Sequence, residues 1–261
     1  MESRSASASG KIILSGEYAV LLGKRAVAVP ADKQLTVSFV PKRTGGITIV
    51  WKDAPPHWIE YTERVLRELE AATGPLHGTV TIESGLPLGK GMGSSTALVI
   101  ATARCLLGGD SEAIARRTED AVNPGHSGLD FAVIWNGKPT LFERGRPPET
   151  IELPQGILEG SQLIDTGTPN ETTPELVAWV RSRQAKLKQP IETIGQCTER
   201  LLRGEPLKEI MRDHHRAQVA LGVVPEVVQK KIAMIEAAGG SAKVLGAGAR
   251  MGGGGMVLVL R

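Results

Sequence analysis

The chain has 261 residues, 41% of them hydrophobic and 23% charged, enough to bury one large core or two modest ones. Its formal net charge of +3 is dispersed among acidic residues, which excludes a long basic face for nucleic acid, so an anionic ligand must be held locally. No apolar run is long enough to cross a bilayer and the opening MESRSASASG lacks an apolar signal core, so a cytoplasmic address is expected, with neither nucleic acid nor membrane as partner.

In chain order, apolar runs at 12–14, 26–29 and 35–40, broken by glycine and charge, predict short strands, as do the β-branched stretches at 47–51 and 79–83. Between these last two, Trp58, Thr62, Val65, Leu66 and Leu69 recur at helical spacing and predict one amphipathic helix packed on the sheet. After a glycine cluster at 85–93, Ser94 and Ser95 suit the N-cap of a helix over 96–107 that is apolar nearly all round and stops at Gly108-Gly109. Cys105 and Cys197 lie in apolar helical stretches without metal-ligand spacing and read as buried thiols. Pro147, Pro148 and Pro154 mark a junction, followed by amphipathic helices near 174–188, 191–203, 205–221 and 225–238 and a closing strand at 256–260. The expected architecture is α+β, in two intimately packed halves.

The segment GLPLGKGMGSSTALVIATA, 85–103, carries the clearest chemistry. A glycine-rich loop running into a helix points several backbone N–H groups and the positive helix end at one spot, which suits a phosphate. It lacks the Gly-Lys-Ser/Thr of a Walker A loop, and Ser94 stands where a dinucleotide fingerprint needs its third glycine. By composition alone it also suits a tight turn.

The stretch PLGKGMGSSTA is similar to the phosphate loop of the GHMP kinases, of general form PxxxGLGSSAA. GKIILSGEYAVLLGKRAVAVP (10–30) resembles the opening motif of the mevalonate and phosphomevalonate kinases within that family, and KVLGAGARMGGGGMVLVL (243–260) resembles the family's closing glycine motif. The resemblance implies a two-lobed fold: a β-rich N-terminal lobe (1–148, ribosomal S5-like) bearing the phosphate loop, and a helix-rich, ferredoxin-like C-terminal lobe (149–261).

It also implies a site. Pro87, Gly89, Lys90, Gly91, Met92, Gly93, Ser94, Ser95 and Thr96 would line the ATP phosphates, and SGLD (127–130) resembles the segment that carries the catalytic aspartate, here Asp130. Glu119 stands upstream at the family's spacing for the magnesium carboxylate, with Ser95 as its hydroxyl partner, and Lys11 would sit beside Asp130. This chemistry is coherent: an alkyl hydroxyl attacking a γ-phosphoryl group needs a carboxylate for its proton and cations for the phosphate charge. Glu17, Tyr18, Ser127, Gly128, Thr172, Gly246, Ala247 and Gly248 fall at substrate-facing positions of the family. His214 and His215 are adjacent, cannot form a metal pair, and read as partly exposed; Arg250 reads as a surface residue.

The implied activity is transfer of the γ-phosphoryl group of ATP, with Mg2+, to the C5 hydroxyl of mevalonate. Tyr18, Asn123 and Asn170 depart from the mevalonate pattern of His, His and Arg, which keeps phosphomevalonate or another alcohol open as substrate, and a non-catalytic metabolite binder as a further alternative. Retention of Lys11, Ser95, Glu119 and Asp130 together favours an enzyme. Oligomeric state is left open, a homodimer included.

Overall fold

The computed structural model describes residues 2–261. Two long antiparallel strands, β1 (Arg4–Ser15) and β2 (Ala26–Pro41), form the spine of a mixed sheet. Where the sequence suggests separate strands at 26–29 and 35–40, β2 runs unbroken. Pro30, which has no N–H to offer the ladder, faces Lys11 beside an irregularity in register and so does not interrupt it. β3 (Ile47–Val50) lies parallel to β4 (Gly78–Ser84), and β4 pairs with the second half of β2.

Between those two strands runs α1 (Pro56–Thr73), which buries Trp58, Tyr61, Thr62, Val65, Leu66 and Leu69, the face predicted from the apolar spacing. α2 (Ser94–Leu107) is buried nearly all round, also as expected, and α3 (Glu112–Val122) and α4 (Leu129–Asn136) pack beside it. β5 (Thr140–Phe142) pairs with the start of β2, and β6 (Glu149–Thr150) with β5.

The second half is a three-stranded antiparallel sheet with helices. β7 (Gln162–Asp165) is followed by α5 (Thr173–Arg181), α6 (Lys188–Leu202), α7 (Leu207–Ala220) and α8 (Glu226–Ala237), then β8 (Ser241–Val244) and β9 (Met256–Leu260), with β9 central. The helix expected over 174–188 stops at Arg181. Pro190 is tolerated only in the first turn of a helix, so the chain turns through 182–187 and restarts at Lys188.

Alternating side chains of the spine strands serve two cores. Ala8, Ile13, Ala26 and Ala28 pack with α2 and α4, whereas Ile12, Leu14, Val27 and Val29 pack with Cys197, Leu201, Ile210, Met211 and Leu258 of the second half. Both cysteines are buried and unpaired, as expected. Among the described residues no helix is long and apolar enough to cross a membrane.

Candidate active site

The loop from β4 into α2 takes positive φ at Gly89, Gly91 and Gly93. Glycine is demanded most at Gly91, where a Cβ would lie 2.2 Å from the Leu245 carbonyl oxygen, and at Gly93, where it would meet Ile134 and the Lys11 stem. The N-cap of α2 is Gly93 and not a serine; no side chain caps this helix end, so its opening N–H groups remain available to an anion. Ser94 instead curls the loop by accepting from the Gly89 N–H at 3.0 Å. Pro87 is half-buried on the approach to the loop. Lys90 pairs with Asp165 at 2.5 Å, and its carbonyl accepts from Met256 N.

Two members of the expected phosphate set act otherwise. The Met92 side chain is fully buried in the shared core, and only its carbonyl takes part, accepting from Lys11 N at 2.9 Å. Thr96 is buried as well and donates its hydroxyl to Glu119 Oε1 at 2.7 Å. It orients the carboxylate expected to hold magnesium.

Lys11 and Asp130 meet. Gly10 occupies a bulge in β1, with no room for a side chain against Leu86 and the Met92 carbonyl, and this aims Lys11 across the loop. The Lys11 ammonium donates to the Gly91 carbonyl at 2.7 Å and lies 3.4 Å from Asp130 Oδ2. The lysine side chain is 3% exposed and the aspartate 35%, so the carboxylate alone opens to solvent. Ser127 and Gly128, expected to touch substrate, build the turn that presents Asp130 on the first turn of α4. Ser127 Oγ accepts from Leu129 N, and Gly128 is the left-handed N-cap.

Glu119 is buried on α3, and its Oε2 has no hydrogen-bond partner. Burial drives its pKa upward, opposed by the Thr96 hydroxyl. A desolvated, unpartnered carboxylate oxygen, with the half-buried Ser95 next in sequence to its partner Thr96, fits Mg2+, which takes few protein oxygens and completes its shell with water and phosphate. Asn123, the departure from the family's histidine, donates to the Tyr61 hydroxyl at 2.7 Å. Burial and the neighbouring Glu119 charge push that phenol well above its ordinary pKa, so it stays neutral. Sequence reasoning missed Tyr61, although it lies on the buried face of α1.

The expected substrate wall is more enclosed than the sequence suggests. Glu17 does not face open space: its carboxylate is buried against the Lys243 ammonium, with His214 Nε2 2.9 Å from the second oxygen but off the hydrogen-bond axis. Burial alone would raise the Glu17 pKa, but Lys243 and His214 outweigh it and hold it at about 2. Tyr18 is buried at φ 63°, and its hydroxyl donates to the Ala247 carbonyl at 2.5 Å. Gly246 abuts Gly91, and Gly248 abuts the Val223 carbonyl, so the closing glycine motif backs the phosphate loop main chain to main chain.

Three further positions have defined surroundings. Thr172 is exposed and closes a capping box with Glu175 at the start of α5, so its hydroxyl belongs to the helix end. His214 and His215 are buried, because α7 turns both toward packed neighbours. Arg250 is exposed and stacks on Trp179 at 4.8 Å, in keeping with its surface reading. A surface hollow of about 520 Å³ beside Lys24 and Lys188 contains none of these residues.

Residues 60–137 match the GHMP kinases N terminal domain. The chain is 31% identical to a mevalonate kinase of Thermococcus gammatolerans over 93% of this chain and 86% of that protein. It is 30% identical to one of Methanothermobacter thermautotrophicus, over 97% and 89%. Its fold superimposes on the crystal structure of Methanococcus jannaschii mevalonate kinase with a TM-score of 0.79 at 18% identity, covering 99% of this chain and 90% of that one. With relatives at 30% identity or more matched nearly end to end, the chain belongs to the GHMP kinases, a family of phosphotransferases.

Proposed function

We propose that the chain transfers the γ-phosphoryl group of ATP to the C5 hydroxyl of mevalonate. The observation that carries the reading is the placement of the Lys11 ammonium between the Gly91 carbonyl and Asp130 Oδ2, at the wall of an uncapped glycine loop. The mevalonate kinases named above support the choice of alcohol.

In this mechanism the loop N–H groups and the start of α2 hold the nucleotide phosphates. Asp130, the solvent-open member of its pair, orients the hydroxyl and accepts its proton as the new C–O–P linkage forms and the bond to ADP breaks. Lys11 is desolvated, so its charge acts strongly on the oxygen and phosphoryl group between which charge moves. Magnesium, held by Glu119 and Ser95, would neutralise the phosphate oxygens. Thr96 fixes Glu119 in the rotamer that leaves one oxygen free.

The Tyr18 hydroxyl donates to the Ala247 carbonyl, and phosphomevalonate stays the alternative substrate to be tested. Purified protein with MgATP is offered mevalonate, phosphomevalonate, homoserine and galactose while ADP release is followed and the product mass is read. Mevalonate is expected to turn over fastest. Turnover of another alcohol in its place would replace the substrate, and turnover of none would remove the function.

A further inference from the structure

Lys243 lies on β8 with no accessible surface, and the chemistry above gives it no task. A buried ammonium is costly unless it is engaged, and this one is engaged twice: by the Glu17 carboxylate and by the Ile13 carbonyl at 2.9 Å. Both partners belong to the segment that carries Lys11, Ile13 just beyond it on β1 and Glu17 in the turn that follows. His214 of α7 flanks the same carboxylate from the other side.

From this cluster the contacts lead back to Lys11. Tyr18, adjacent to Glu17, donates to Ala247; the neighbouring Gly246 is packed against Gly91; and the Gly91 carbonyl accepts from the Lys11 ammonium. The circuit joins β1, the closing glycine loop and the glycine-rich loop before α2, and the Lys243–Glu17 pair is its buried ionic joint.

We propose that Lys243 is a positioning residue for phosphoryl transfer. With Glu17 and His214 it locks the strand bearing Lys11 to the closing glycine loop, so that the Lys11 amine stays registered between Gly91 and Asp130. The proposal deepens the function given above and rests on it for the role of Lys11. A purely structural role differs in one respect: replacing a buried ion pair by neutral groups of similar volume often preserves stability, and a structural pair replaced in this way would leave catalysis intact.

The test is the double variant E17Q/K243M, which removes both charges and strands neither. It is expected to keep its circular dichroism spectrum and its KM for MgATP, while kcat falls at least ~10-fold with whichever alcohol the wild type accepts. Lys11, shielded in the wild type, is expected to react with acetic anhydride at least ~10-fold faster, read by peptide mass spectrometry on the folded protein. An unchanged kcat, or an unchanged Lys11 labelling rate, overturns the proposal. If the double variant does not fold, K243R keeps the charge but displaces it, and must show the same pair of changes. A wild type that turns over no alcohol would refute the proposed function, and Lys11 labelling would still decide the role of Lys243.

Discussion

Asp130 and Lys11 lie 3.4 Å apart but differ sharply in exposure, 35% against 3%, and in the proposed reaction that difference separates their work. In that proposal a solvent-open carboxylate can pass its proton on after each turnover, whereas an ammonium out of water acts on the reacting oxygen with little screening. Asp130→Asn keeps the shape and removes the proton acceptor. Its kcat is expected to fall by about 10³-fold with ATP affinity little changed, measured by steady-state kinetics and nucleotide titration; an active variant would take Asp130 out of this role. Both residues were legible in the sequence because each sits inside a short motif whose glycines set the local backbone. Lys243 was not. Its partner Glu17 lies 226 positions away, and the sequence contains no local sign that two charges so far apart will be buried together.

Helix α7 and the phosphate loop show which elements declare themselves. Leu207, Ile210, Met211, His214, Gln218 and Leu221 recur at helical spacing, so the inward position of His214 could have been inferred from its apolar neighbours; the polarity of the side chain hid it. Burial, with His214 and Arg216 adding to it, lowers the His215 pKa to about 4. As pH falls below the ordinary histidine range near 6.5, the unfolded chain takes up a proton that the folded chain refuses, so stability declines until about pH 4. Urea midpoints measured from pH 7.5 down to 4.5 should therefore decrease, with a shallower slope in His215→Asn; an equal slope would show that His215 does not titrate in this window. In the phosphate loop the constraint is steric. Gly91→Ala places a methyl group against the Leu245 carbonyl at an unfavourable φ, and is expected to lower unfolding free energy by at least about 2 kcal/mol and to raise the KM for ATP. Denaturation and kinetics on the same preparation would check both effects.

At the scale of the molecule, β1 and β2 present one face to each half, so neither half owns the spine. Unfolding by calorimetry should be a single transition, and a fragment ending at residue 148 should aggregate because it exposes Ile12, Leu14, Val27 and Val29; two resolved transitions would contradict the shared core. The elements up to α2 and the helices after residue 173 were readable from apolar periodicity, and the closing strand from its unbroken apolar run, whereas α3, α4 and the short strands β5, β6 and β7 between them were not. Joining of the β2 segments and the early end of α5 were not, because pairing partners and a distant proline's tolerance decide them. The abutment of Gly91 on Gly246, and of Gly255 on Lys90, has a consequence for how this enzyme can change. Where the two loops meet as main chain alone, there is no side chain to trim or enlarge, so their spacing cannot be altered one side chain at a time. Change is left to side chains beside that seam, such as the Lys90 ammonium and its partner Asp165, a pair whose charges can be altered without moving the backbone.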